Sequence, residues 1–89
     1  MDLKDKVANI LRRHLQPEHV HLIDDDGIMG VVVSTRFRRV SAIKRQLMIE
    51  HALEDPAAKL TKAERRRVVA ISGLTPAEYS TLDVPVNGK

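Results

Sequence analysis

Two strand-like runs joined by a four-residue acidic turn constrain the fold of this chain most strongly. The first run, HVHLI at residues 19–23, alternates polar and apolar side chains, and the second, IMGVVVS at residues 28–34, is rich in β-branched residues. Between them lies DDDG, in which Asp26 and Gly27 suit the positive φ of a tight turn. The segment therefore predicts an antiparallel β-hairpin with its acidic tip in water.

Amphipathic patterns on both sides of the hairpin predict two helices. The first covers about residues 2–16 and ends before Pro17, because a proline disfavours the α region for the residue preceding it. The second begins after Ser41, which can cap a helix, and ends before Pro56. The predicted apolar faces are Leu3, Val7, Ile10, Leu11 and Leu15 in the first helix and Ile43, Leu47, Ile49, Ala52 and Leu53 in the second.

Three further motifs complete the pattern in the second half of the chain. TKAE at residues 61–64 matches a capping box for a short turn of helix, and it also fits a plain polar connection. VVAIS at residues 68–72 predicts the third strand. TPAEY at residues 75–79 combines a cap residue, a proline at the first helical position and a glutamate in the first turn, which predicts the start of a last helix.

The predicted element order is α-β-β-α-β-α in one domain, because 89 residues leave no room for a second. The second and third strands are joined through a helix, so they should pair in parallel with a right-handed crossover. The expected fold is a single small α+β domain, a three-stranded mixed sheet with the first two helices packed on one face. Residues 1–82 should form this domain, and residues 83–89 a flexible tail.

Positive charge is concentrated in the second half of the chain. The net charge is +3, but residues 36–67 contain ten Lys and Arg against four Asp and Glu. Such a field attracts phosphates or an acidic protein surface. The chain contains no cysteine, no apolar run long enough to cross a bilayer and no signal-peptide pattern, so we expect a soluble cytoplasmic protein that does not contact a membrane.

The segment RFRRVSAIKR at residues 36–45 is the leading candidate for a binding surface. It lies at a predicted strand-to-helix junction, where free N–H groups at the helix start and basic side chains together attract phosphate. A protein-docking surface, a nucleic-acid site and solvated charge all stay open. A Gly-x-x-Gly loop is absent and stacking aromatics are few, which counts against nucleic acid. The basic residues of the segment are Arg36, Arg38, Arg39, Lys44 and Arg45.

Two histidines form the candidate metal site, and a third could join them. His19 and His21 are two residues apart on one predicted strand, so their side chains should share a face, and His14 could approach from the end of the first helix. Neutral imidazoles at this spacing can bind Zn or Fe, although such a pair is more often an ordinary surface feature. The aspartates at residues 24–26 lack the loop pattern of a calcium site, and no catalytic constellation is evident. We therefore expect a protein that is not an enzyme.

Three sequence words carry a resemblance to a known family. VVVSTRF at residues 31–37, SAIKRQLMIEHAL at residues 41–53 and, above all, VVAISGLTPAEY at residues 68–79 resemble the BolA-like family, whose fold is related to the class II KH arrangement. The resemblance covers roughly residues 19–80. It departs from the family two residues after Phe37, where BolA-like chains usually have glycine and this chain has Arg39.

The resemblance implies a role with monothiol glutaredoxins in iron-sulfur cluster trafficking and iron regulation, or a stress-linked nucleic-acid-binding role. In the glutaredoxin complexes of the family, a histidine at the start of the third strand ligates a shared 2Fe-2S cluster, sometimes with a His or Cys from the loop after the first strand. Here Arg67 occupies the strand start and residues 24–27 hold neither ligand. Arginine offers only donors, which counts against cluster ligation at these positions.

The resemblance and the charge pattern together suggest a BolA-like adaptor that docks a monothiol glutaredoxin-like or other acidic protein, with no cofactor on the isolated chain. The alternative is a nucleic-acid-binding transcriptional regulator that uses the same basic face. A third possibility is metal binding by His19 and His21. The basic face expected to carry the contact consists of Arg36, Arg38, Arg39, Lys44, Arg45 and Arg67.

Overall fold

A computed structural model describes the backbone of residues 2–87 and the side chains of residues 2–81. The predicted helices and strands are present. The flexible tail predicted for residues 83–89 lies outside the residues whose side chains are described. No helix within residues 2–87 has the length and apolar content needed to cross a membrane. The elements are α1 (Leu3–Leu15), β1 (His19–Asp24), β2 (Ile28–Val33), α2 (Ala42–Glu54), α3 (Lys62–Arg66), β3 (Val68–Leu74) and α4 (Pro76–Asn87).

The three strands form the predicted mixed sheet, in the order β1-β2-β3. β1 and β2 pair antiparallel, with His19 opposite Val33. β2 and β3 pair in parallel, with Gly30 opposite Ile71. Because β2 and β3 are parallel, the residues that precede both strands lie at one end of the sheet and the residues that follow them lie at the other. This arrangement decides which basic side chains can share a surface.

Left-handed backbone conformations shape the hairpin. Asp26 and Gly27 have φ of 57° and 130° in the turn, as the DDDG motif predicts. Gly30 in β2 has φ of 155°, and a Cβ at this position would overlap the carbonyl oxygen of His21. The two strands can therefore approach this closely only because residue 30 is glycine.

The core lies between one face of the sheet and the helices α1 and α2. Phe37, in a 3-10 turn after β2, is fully buried together with Leu11 of α1 and Val32 of β2. Ser34 is also buried, and its hydroxyl donates to the carbonyl oxygen of Leu15 over 2.9 Å. This bond satisfies a carbonyl at the end of α1 and attaches that helix to the chain leaving β2.

The apolar face predicted for α2 is wrong at two positions. Ile43 and Leu47 are 76% and 46% exposed, whereas Ile49, Ala52 and Leu53 are buried. Successive residues of a helix are rotated by about 100°, so positions 43, 47, 50 and 54 form one stripe and the buried residues lie on another. The helix turns the second stripe to the core and leaves the first in solvent.

Side chains of α2 cover part of the outer edge of β3. The amide nitrogen of Gln46 donates to the carbonyl oxygen of Ile71 over 2.7 Å, and the guanidinium of Arg45 donates to that of Gly73 over 3.0 Å. Unpaired strand edges are templates for pairing with other chains. These two hydrogen bonds remove that possibility from the second half of β3.

The TKAE motif forms a helix start rather than a plain connection. The backbone N–H of Glu64 donates to the Thr61 hydroxyl, and the Thr61 N–H donates back to the Glu64 carboxylate, over 3.0 and 2.9 Å. This reciprocal capping box begins α3. The same carboxylate accepts from Lys6 of α1 over 3.2 Å, so the box also connects α3 to the first helix.

Replacing Phe37 with alanine should be strongly destabilising. The ring is fully buried, so Phe37→Ala should lower the free energy of unfolding by about 3–5 kcal/mol, as loss of a buried aromatic ring typically does. Urea denaturation followed by circular dichroism measures the difference. Val69→Ala, at a side chain that is 60% exposed, is the control and should cost less than about 1 kcal/mol. Equal costs would show that Phe37 is not a centre of the core.

Candidate functional site

The predicted basic face is divided between two ends of the sheet. Arg67 precedes β3 beside the start of β2, where its carbonyl oxygen accepts from the N–H of Ile28 over 2.7 Å. Arg36 to Arg45 follow the other end of β2, where Val33 lies opposite Leu74. With about 3.3 Å per strand residue, roughly 20 Å separates the two ends. Arg67 is therefore not part of the surface predicted with the other five residues.

Arg45 is a structural residue rather than a free contact. Its guanidinium forms two hydrogen bonds with the Glu78 carboxylate, at 2.6 and 3.2 Å, and Nε donates to the carbonyl oxygen of Val40 over 2.8 Å. It also lies over the Phe37 ring, 5.7 Å from the centroid. Only 14% of the Arg45 side chain is exposed. The Glu78 carboxylate neutralises this charge within the fold, so Arg45 is a poor candidate for binding a partner.

Three cations of the predicted segment remain exposed and available. Arg36 is exposed too, but its guanidinium already donates to the side-chain oxygen of Gln16, so it is left out of this set. The side chains of Arg38, Arg39 and Lys44 form no hydrogen bond or ion pair with residues 2–81. We call these three residues the basic end surface.

Arg39 has an unusual backbone conformation. Its φ is 61°, in the left-handed region that favours glycine. For residues other than glycine this region costs roughly 1–2 kcal/mol. The Arg39 side chain is exposed, so an unfavourable backbone conformation holds an arginine at the surface. Backbone strain of this kind is concentrated at functional positions in proteins.

A second basic surface borders a groove that the sequence did not predict as a site. The groove has a volume of about 420 Å³ and lies between α2, α3 and β3. Lys62, Arg65 and Arg66 line the α3 side, and Glu50 and Glu54 line the α2 side. The capping box at residues 61–64 already predicted a possible helix here. Together with the charge count, this predicted helix could have placed the three cations beside the third strand.

His14 does not approach the other two histidines. Its Nε2 lies 2.7 Å from the Asp55 carboxylate at the end of α2. His19 and His21 do share one exposed face of β1, and they stack with centroids 5.8 Å apart. The Tyr79 ring from α4 packs against both, at 5.6 and 5.7 Å. Sequence reasoning missed Tyr79, because nothing in the local pattern indicates that α4 returns to β1.

Solved structures of known proteins share this architecture. A bol-like protein from Babesia bovis is 24% identical, with a TM-score of 0.65 over 93% of this chain and 95% of that one. BolA1 from Arabidopsis thaliana is 18% identical, with a TM-score of 0.63 over 88% of this chain and 96% of that one. The chain has a BolA-like fold. Its sequence matches no protein-family model and no curated protein.

The BolA-like fold brings together the two positions to which the resemblance assigns cluster ligands. Arg67 at the start of β3 lies beside the turn after β1, and its guanidinium is 3.3 Å from the Asp24 carboxylate. An ion pair therefore joins these two positions. Within residues 2–81, no three or more His, Cys, Asp or Glu side chains are arranged to hold a metal ion.

Hydrogen bonds to the start of α4 perturb Glu78 in this BolA-like domain. The bonds from Arg45, and then the N–H of Thr75, lower the pKa of the Glu78 carboxyl from 4.5 to about 2. Glu78 and Thr75 form a capping box, with reciprocal bonds of 2.8 and 3.2 Å, at the helix start that TPAEY predicts. The carboxylate therefore connects α2, the end of β3 and α4.

Acid should weaken the fold through Glu78. Because its folded pKa lies below the ordinary 4.5, the carboxylate contributes stability above about pH 4.5 that is lost as the pH falls toward 2. Glu78→Gln should therefore be less stable than the natural chain at pH 7, by no more than about 1 kcal/mol because a half-exposed pair is screened by solvent. Urea denaturation between pH 7 and pH 2 should show the two proteins converging in acid. Glu50→Gln, at an exposed carboxylate, should not reproduce this convergence.

Proposed function

We propose that this protein is a BolA-like, non-enzymatic adaptor that binds a monothiol glutaredoxin-like protein in iron-sulfur cluster or iron homeostasis and in stress response. We further propose that it does so without ligating the cluster at the usual positions. The observation that carries the proposal is the ion pair between Arg67 and Asp24 at the turn end of a BolA-like fold. The fold supports a relation to the BolA-like family, and the ion pair is the point at which this chain differs from that family.

The chemistry of the pair supports a contact role rather than ligation. A guanidinium is protonated and has only donors, so it cannot bind iron. The adjacent carboxylate of Asp24 is engaged by that cation. Arg67 is nevertheless more than half exposed, so its remaining donors can meet an acidic group of a partner. A partner can therefore dock at the turn end while its cluster keeps its own ligands.

Restoring the histidine tests the proposal directly. The natural chain should bind the host's monothiol glutaredoxin both in the apo form and loaded with a 2Fe-2S cluster, and should leave the visible absorption and circular dichroism of the cluster unchanged. Arg67→His supplies an imidazole at the strand start and should alter those spectra, because a nitrogen ligand changes the electronic environment of the iron. Arg66→His removes the same charge one residue away and is the matched control.

Two results would contradict the proposal in different ways. If the natural chain binds neither form of the glutaredoxin in calorimetry, the adaptor role is wrong. If it binds and shifts the cluster spectra by itself, the chain supplies a ligand that the Arg67–Asp24 pair does not account for. An effect of Arg66→His equal to that of Arg67→His would show that the spectral change does not depend on the strand-start position.

Nucleic-acid binding is a second candidate function, favoured by the cations of the basic end surface, which have no side-chain partner within residues 2–81. Each phosphate that a lysine or arginine neutralises releases counterions, so the logarithm of affinity falls linearly with the logarithm of salt concentration. Three exposed cations at one end of the sheet would give a slope of roughly −2 to −3 for single strands or duplex. Arg39 is of special interest because its backbone conformation is unfavourable for an arginine.

Arg39→Gly should separate stability from binding. Glycine accepts the left-handed conformation, so the variant should be more stable by about 1 kcal/mol in urea denaturation. If the basic end surface binds nucleic acid, the same variant should bind an oligonucleotide more weakly and with a shallower salt slope.

The paired variants Arg38→Ala with Lys44→Ala, and Arg65→Ala with Arg66→Ala, remove equal charge from the two basic surfaces. Equal losses would show that only net charge matters, and no binding at low salt would end this candidate.

A further inference from the structure

Three aromatic rings meet on the face of the sheet opposite the core. His19 and His21 are exposed on β1, while Val20 and Leu22 between and beside them pack toward the core. The imidazole planes are tilted by only 22° and their centroids lie 5.8 Å apart. The Tyr79 ring of α4 lies at 5.6 and 5.7 Å from the two imidazoles. The two histidines are therefore held side by side rather than free to point apart.

The separation of the two imidazoles fits chelation of one metal ion. A zinc–nitrogen bond of about 2.0–2.1 Å places the ring centroid about 3.2 Å from the metal. Two such rings at a tetrahedral angle have centroids about 5 Å apart, and two opposed rings about 6 Å apart. The observed 5.8 Å lies between these limits. The rings are stacked in this structure, so each must turn about its side-chain torsions to direct one in-plane nitrogen at a common ion.

We propose that His19 and His21 form a surface chelate for a first-row transition metal ion such as Zn²⁺ or Cu²⁺, with Tyr79 as a positioning residue. Imidazole prefers these ions over Mg²⁺ or Ca²⁺, which take oxygen ligands. Within residues 2–81 no third His, Cys, Asp or Glu joins the pair, so water or a group from a partner fills the remaining positions. The site lies on β1 and does not depend on the Arg67–Asp24 pair or on a glutaredoxin partner.

Tyr79 acts on the chelate through packing. An exposed histidine on an edge strand samples several rotamers. A metal ion that binds two such histidines must therefore fix both side chains. The phenol ring, placed against both imidazoles, restricts them before the metal arrives. Keeping the two rings next to each other leaves fewer rotamers to be lost when the metal binds, which lowers the entropy cost of binding. The aromatic ring rather than the hydroxyl is the part of Tyr79 that this role requires.

Titration of the full chain with zinc chloride, followed by NMR of the histidine side chains and by calorimetry, tests the site. The signals of His19 and His21 should shift together and saturate at one ion per chain. His19→Asn and His21→Asn should each lower the affinity by about 10-fold or more, the size of effect seen when a metal site loses a supporting group. His51→Asn removes another exposed histidine, on α2, and should leave the zinc affinity unchanged.

Two variants of Tyr79 separate positioning from ligation. Tyr79→Phe keeps the ring and should bind zinc as the natural chain does, whereas Tyr79→Ala should bind a few-fold more weakly. Equal losses in both variants would make the phenol oxygen a ligand and overturn the positioning role. Zinc affinity that survives in both His19→Asn and His21→Asn, or signals of His19 and His21 that do not move, would overturn the site itself. Urea denaturation of each variant confirms that the sheet remains folded.

Discussion

The structure at the end of the sheet depends on the contacts of one side chain, the guanidinium of Arg45. It joins α2 to the carbonyl oxygen of Gly73 in β3, to Glu78 in the capping box of α4 and to the ring of Phe37. The ring in turn lies so close to Gly73 that a Cβ there would be 2.8 Å from it. Each of these groups needs the others in place: the glycine admits the ring, the ring supports the guanidinium, and the guanidinium orders the carboxylate. A basic residue in a cluster of basic residues is here part of the packing.

This internal use of Arg45 changes how the charge of the chain should be interpreted. Ten cations between residues 36 and 67 suggest one large electropositive face, but parallel pairing of β2 and β3 sends them to different places. Arg45 forms contacts inside the fold, three cations form the basic end surface, the cations of α3 border the groove, and Arg67 is paired with Asp24 at the turn. A partner at the turn and an anion at the basic end surface would be separated by the length of the sheet, so they would not compete for the same atoms.

The parts of the fold that local chemistry determines could be predicted from the sequence. The turn at Asp26 and Gly27, the cap at Ser41 and the box begun by Thr75 each depend on a few adjacent residues, and all three formed as predicted. The candidate sites depend on which distant segments meet. No periodicity indicates that Arg45 reaches Glu78, 33 residues away, or that Tyr79 reaches β1. The exposure of Ile43 and Leu47 likewise depends on which stripe of α2 the sheet accepts.

The glutamine and arginine that cover the outer carbonyls of β3 leave the two sides of the sheet unequal. A second chain seeking to lengthen the sheet meets amide and guanidinium groups at Ile71 and Gly73, where its own N–H groups would have to bond. Within residues 2–81 no side chain bonds to the outer backbone groups of β1, the strand that carries His19 and His21. Strand addition is therefore expected to be easier along the histidine-bearing edge than at residues 71–73 of β3.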